Sequence, residues 1–129
     1  METRMQTSPL AAWREHLNAG HLAFQRDTAT GKAVFYPRVA APGSGNTALV
    51  WEVSKGLGTV YATTAIAQRD KAAYNVALID MDEGFRLMSR VESVAAVDVK
   101  IGQRVKVRIH QPGGDEAPYP VFDIVEAAV

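Results

Sequence analysis

Hydrophobic positions fall into short clusters separated by turn residues, and only the first has helical spacing. Leu10, Trp13 and Leu17 lie at i, i+3 and i+7. Ser8 stands where an N-cap is needed, and Pro9 suits the first helical position, whose N–H would go unpaired anyway. Asn18 and Gly20 supply the stop. The spacing predicts a short helix, marginal alone, that must dock its Trp13 stripe on another element.

The remaining clusters have strand character. His21 to Arg26 and Ala33 to Tyr36 flank the turn-rich Asp27-Thr28-Ala29-Thr30-Gly31-Lys32, which predicts a small hairpin stopped by Pro37. Residues 40–47, with Pro42, Gly43, Gly45 and Asn46, form a loop or knuckle. Leu49 to Val53 is another short strand. From Gly56 onward five strands follow in about 70 residues: Thr59–Ala67, Tyr74–Met81, Phe85–Val91, Arg104–His110 and Tyr119–Val125. The second and third pair across the turn Asp82-Glu83-Gly84. The fourth alternates strictly, Val105, Val107 and Ile109 on one face, Arg104, Lys106, Arg108 and His110 on the other. The predicted fold is mostly β: an N-terminal helix and ribbon hairpin in residues 1–55, then a five-stranded antiparallel barrel of the OB type in residues 56–129.

Composition narrows the chemistry. The chain has 129 residues, 14 Lys+Arg against 14 Asp+Glu, and no cysteine. Disulfides, thiolate metal sites and a thiol nucleophile are therefore excluded. Zero net charge gives no general attraction to nucleic acid or an anionic membrane. No stretch is long and apolar enough to span a bilayer, and no leader pattern opens the chain, so the expected location is the cytoplasm.

Candidate motifs are mostly turns. Asp80-Met81-Asp82-Glu83-Gly84 opens like a calcium loop, but the fifth and twelfth positions are Gly84 and Val91, which cannot ligate through side chains. Gly56-Leu57-Gly58 lacks the third glycine of a dinucleotide fingerprint, and Gly31-Lys32 lacks the rest of a P-loop. His16, His21 and His110 share no helix face. Gly43-Ser44-Gly45 lacks the strand-to-helix setting of a nucleophile elbow. The cationic row Arg104, Lys106, Arg108, with Lys100 nearby, suits single-stranded nucleic acid or the phosphates of a nucleotide-bearing cofactor. Pairing with Glu52, Asp98 or Asp123 would instead make it a solvated strand face.

Four stretches in order carry a family resemblance: Phe35-Tyr36-Pro37-Arg38, Gly58-Thr59-Val60-Tyr61, Tyr74 to Met88, and Ile101-Gly102-Gln103-Arg104-Val105. Together they resemble the acyl-CoA-associated OB-fold proteins with a rubredoxin-like zinc ribbon, which partner thiolase-like enzymes. The resemblance runs from about Trp13 to Phe122. It places the ribbon's four metal positions at Asp27, Thr30, Ala41 and Ser44. One carboxylate cannot make a tetrahedral site, so no zinc is expected. Packing of Phe24, Val34, Phe35, Leu49 and Trp51 would then hold the ribbon.

The resemblance implies a non-catalytic accessory subunit of a thiolase-like enzyme, with acyl-CoA as a ligand that is not tightly bound. The acyl-transfer cysteine would belong to the partner. Phe35, Tyr36 and Arg38 are expected at the ribbon–barrel junction, facing the acyl chain or the partner. Tyr61, Tyr74 and Arg86 are expected at the barrel mouth. The alternative for the tyrosines is ordinary core or rim packing, and for Arg38 and Arg86 pairing with carboxylates such as Asp82. An orphaned partner surface would favour self-association in isolation. A single-stranded nucleic-acid binder is the second reading, and a self-standing thioesterase or hydratase the third.

Overall fold

The computed structural model describes residues 8–125. Helix α1 spans Pro9–Asn18, and the Ser8 hydroxyl accepts the Ala11 N–H at 3.1 Å, as the capping pattern predicts. Leu17 is its one buried residue, while Trp13 is half-buried and Leu10 exposed.

A three-stranded antiparallel sheet follows, in the order β2-β1-β3. Its strands are β1 (Ala23–Asp27), β2 (Ala33–Val34) and β3 (Leu49–Val53). Strand β2 is shorter than the pattern predicts. Phe35 and Tyr36 leave the sheet, and the buried Gln25 side chain takes over the pairing further on. Gln25 Nε2 donates to the Arg38 carbonyl, and Gln25 Oε1 accepts the Arg38 N–H, both at 2.8 Å.

The second sheet has five antiparallel strands in the order β6-β5-β4-β7-β8. They are β4 (Leu57–Gln68), β5 (Lys71–Met81), β6 (Arg86–Ser89), β7 (Arg104–His110) and β8 (Tyr119–Ile124). Strands β4 and β5 run longer than predicted and meet in a two-residue turn, Arg69-Asp70, where Asp70 adopts φ 63°. Residues 68–72 carry no alternation, because the arm is exposed on both faces there and burial imposes no period. Beyond β6 the chain pairs in parallel with β8 at Val91 and Phe122 and closes the sheet. Glu92 N–H donates to the Phe122 carbonyl, and Phe122 N–H to the Arg90 carbonyl. Gly58 is required at the start of β4: a Cβ there would lie 2.8 Å from both the Asp80 carbonyl and Ile79 Cγ2.

One hydrophobic cluster runs through both sheets. Leu22, Phe24 and Phe35 pack with Val60, Ile79, Leu87, Val105 and Phe122 of the larger sheet and with Phe85 of its β5–β6 turn. Phe85 is the meeting point. Phe35 stacks on it with ring planes 5° apart and centroids at 4.9 Å, and Phe24 lies at 4.8 Å. Phe24, Val34 and Phe35 are buried, as expected of the ribbon, whereas Leu49 and Trp51 are only half-buried. The link between the sheets is also held by polar contacts. Glu83 accepts from the Ser54 hydroxyl at 2.9 Å and the Lys55 N–H at 2.8 Å.

Because the cluster is shared, Phe24→Ala is expected to cost roughly 3–5 kcal/mol and to lower the stability of both sheets in a single transition. Urea melts followed by the fluorescence of Trp13 and Trp51 and by far-ultraviolet circular dichroism check this. Two separated transitions would contradict it.

Candidate functional site

The loops of the small sheet form two turns with the same hydrogen bonding. In the first, Gly31 N–H donates to the Asp27 carbonyl at 2.7 Å and Asp27 N–H to the Lys32 carbonyl at 2.9 Å. In the second, Gly45 N–H donates to the Ala41 carbonyl and Ala41 N–H to the Asn46 carbonyl, each at 2.9 Å. Asp27 thus corresponds to Ala41, Thr30 to Ser44, and Gly31 to Gly45, with φ values of 76° and 70° that suit glycine.

The Asp27 carboxylate joins the two turns. It is 2% exposed and accepts four hydrogen bonds. Oδ1 takes the Ala29 N–H at 2.9 Å and Asn46 Nδ2 at 2.8 Å; Oδ2 takes the Thr30 hydroxyl at 3.0 Å and the Ser44 hydroxyl at 2.7 Å. These donors, Asn46 and Ser44 foremost, hold its pKa well below the usual carboxylate range despite burial. Among the described residues no three His, Cys, Asp or Glu side chains gather as a metal site.

Two cavities flank the junction and share Phe35 and Tyr36 as a common wall. The first, about 600 Å³, is bounded by both turns (Asp27, Thr30, Lys32; Pro42, Gly43, Ser44) and by Arg38, Phe85 and Arg86. Among the described residues Lys32 and Arg38 make no ion pair there. Arg86 pairs with Asp80 and lies 3.6 Å over the Tyr61 ring. This basin is therefore cationic. The second cavity, about 460 Å³, is an apolar groove between α1 and the larger sheet. Leu10, Trp13, Pro37, Met88 and Tyr119 line it. Met88 is 63% exposed and Tyr36 58%, so the groove opens to solvent. The Trp13 indole N–H is buried here without a hydrogen-bond partner, the one such side-chain atom among the described residues.

Of the six residues singled out by sequence, four meet at the basin: Phe35, Tyr36, Arg38 and Arg86. Tyr61 joins them through Arg86. Tyr74 does not. It sits farther along the β4–β5 arm, opposite Ile66, and lines a separate cavity with Arg90 and Val94. Arg86 does pair with a carboxylate, the alternative foreseen for it, but not with Asp82, the example named. Asp80, directly opposite Arg86 in the β5–β6 register, takes that place, and Asp82 binds Arg104 through both oxygens at 2.7 Å. Arg38 has no carboxylate partner among the described residues either.

The cationic row of β7 is laced with acids. Arg104 pairs with Asp82, and Arg108 with both Asp123 and Glu92, which hold its guanidinium firmly charged. Asp123 is thus a neutraliser as expected. Glu52 instead binds Arg26, and Asp98 takes part in no ion pair among the described residues. The row's two arginines are thus paired, while Lys106 between them makes no ion pair among the described residues. Sequence reasoning missed Lys32, Gln25 and the groove residues. Lys32 carried only the signal of a turn, and the groove arises from elements distant in the chain.

The five-stranded sheet is an OB-fold domain. Residues 51–110 match the family model described as ChsH2, C-terminal OB-fold domain. A solved structure described as "Ltp2-ChsH2(DUF35) aldolase" aligns with 95% of this chain and 98% of that chain, at 25% sequence identity and a TM-score of 0.79. No curated protein sequence matches the chain.

The depressed Asp27 pKa fixes the sign of an acid effect. Its contribution to stability is fully present above the unfolded carboxylate pKa, about 4, and is lost as pH falls towards the folded value. Asp27→Asn is therefore expected to be less stable than the native chain at pH 7, with the gap closing below about pH 4. Urea midpoints across that range test it, and a gap that stays constant would contradict it.

Proposed function

We propose that the protein is a non-catalytic accessory subunit of an acyl-CoA enzyme, with a thiolase-like partner and acyl-CoA as a ligand that it does not hold tightly. The observation that carries this reading is the likeness, over nearly the full length of both chains, to a chain of an Ltp2-ChsH2(DUF35) aldolase. The absence of cysteine supports the division of labour, because the acyl-transfer nucleophile of a thiolase-like reaction must then come from the partner.

The two cavities fit the ligand's two ends. Lys32, Arg38 and Arg86 offer charge-assisted hydrogen bonds to phosphates, and the groove beyond Phe35 and Tyr36 offers apolar cover to the thioester end. The second reading, single-stranded nucleic acid, is less favoured, since carboxylates occupy both arginines of the β7 row.

The ribbon belongs to the same reading. Asp27, Thr30, Ala41 and Ser44 stand in place of four metal-binding cysteines, and hydrogen bonds to Asp27 take over the cross-link. Elemental analysis of the purified protein is expected to find no stoichiometric zinc. One zinc per chain would overturn this part.

The function is tested by co-expression with a thiolase-like enzyme from the same genome. The two proteins are expected to co-purify, and acyl-CoA to raise the melting temperature of the native chain. Failure of both results overturns the proposal. At the ligand site, Lys32→Ala and Arg38→Ala should each weaken CoA binding about tenfold or more by calorimetry, since a hydrogen bond to a charged group contributes about 1.5–3 kcal/mol. Arg86→Ala should have a smaller effect, because Asp80 already shares that guanidinium.

A further inference from the structure

We infer that the paired turns are a built anion receptor, which the chain fills with its own Asp27 carboxylate, and that this internal ligand positions Lys32 in the basin. The designation of the basin as a phosphate site rests on the function proposed above; the receptor itself rests on geometry alone.

Four donors converge on the carboxylate from both turns. Ala29 and Thr30 belong to the first turn, Ser44 and Asn46 to the second. The donor set mixes a backbone N–H, two hydroxyls and an amide, which is the arrangement a small carboxylate or similar anion requires. The β1–β3 ladder holds the strand ends beside the turns, closing at Asp27 opposite Leu49, and few other side-chain contacts tie the turns to each other. The Thr28 hydroxyl donates to the Ala48 carbonyl at 2.8 Å, and Asn46 Nδ2 donates to the Thr28 hydroxyl at 2.9 Å. Both contacts lie on the exposed side.

The same network reaches Lys32. Its carbonyl accepts the Asp27 N–H, and its own N–H donates at 3.3 Å to the Thr30 hydroxyl, which in turn donates to Asp27. The opposite wall of the basin is Pro42-Gly43-Ser44, and Ser44 is bound to the same carboxylate oxygen as Thr30. One carboxylate therefore sets both the distance between the basin walls and the backbone that presents the Lys32 cation. Asp27 is a positioning residue in this arrangement.

Replacing the internal anion by an external one tests the inference. Hydrogen exchange of the full chain is compared with that of Asp27→Ala, Asp27→Asn and the milder Ser44→Ala. Exchange over residues 27–46 is expected to rise tenfold or more in the two Asp27 variants and less in Ser44→Ala, and to rise more there than in the larger sheet, which feels only the loss of global stability. Sodium formate is expected to restore slow exchange in Asp27→Ala, while sodium chloride at equal ionic strength does not. In Asp27→Asn the amide already fills the site, so formate should have no effect.

Pyrophosphate, used as the probe of the basin, should bind Asp27→Ala at least tenfold more weakly than the native chain and regain affinity with formate at fixed ionic strength. Formate without effect on exchange overturns the inference, as does exchange that rises equally in both sheets. If the native chain binds no pyrophosphate while formate still rescues exchange, the receptor stands and the phosphate reading of the basin fails.

Discussion

The stack of Phe24, Phe35 and Phe85 is the contact on which the rest of the molecule depends. Neither sheet completes its core alone: the smaller one has only three strands, and its buried aromatics look outward to a ring on the β5–β6 turn. Offset aromatic pairs of this kind add about 0.5–1.5 kcal/mol each beyond the area they bury. The geometric consequence matters as much as the energy. Phe35 is fixed between Phe85 and the edge of Trp13, so Tyr36 beside it is fixed as well. The wall between a cationic basin and an apolar groove is thus a product of core packing, and its placement is as rigid as the core.

Polar interactions refine what the aromatics establish. Gln25 has no route to solvent and satisfies itself on the backbone of Arg38, which is how a residue outside any strand acquires a defined position. Asp27, two residues further along β1, is buried and is satisfied four times over. Buried polar groups left unpaired would each cost about 1–3 kcal/mol. Complete pairing therefore lets the loops keep one conformation without extensive apolar cover.

Most of the architecture was legible because alternation reports burial. The β7 pattern gave its limits to the residue, and the Ser8-Pro9 pair marked the start of α1. The β4–β5 arm around Arg69-Asp70 was not legible, because residues exposed on both faces carry no period. Early loss of β2 was hidden for another reason: Phe35 is apolar in either setting, and only the tertiary pull of Phe85 takes it out of the strand. The site was legible in part. The family resemblance implied a junction position for Phe35, Tyr36 and Arg38, and the structure gathers them with Arg86 in one basin. Tyr74 looked equivalent in sequence, but strand register carries it to another surface. Partner choice among Asp80, Asp82 and the arginines likewise followed register, which local sequence does not specify across three strands.

The paired belt on the larger sheet has an electrical consequence. Arg86, Arg104 and Arg108 are each met by a carboxylate at close range, so their fields largely cancel within a few ångströms. Lys32 and Arg38 lie on the other part of a chain whose formal charge is zero. The charges that stand outside these pairs, Lys32 and Arg38 at the basin among them, are what a charged ligand meets on a chain without net charge. Such a body is not drawn toward anions from a distance, yet it is turned by them once near. Its encounter with a charged surface is governed by orientation rather than by overall attraction.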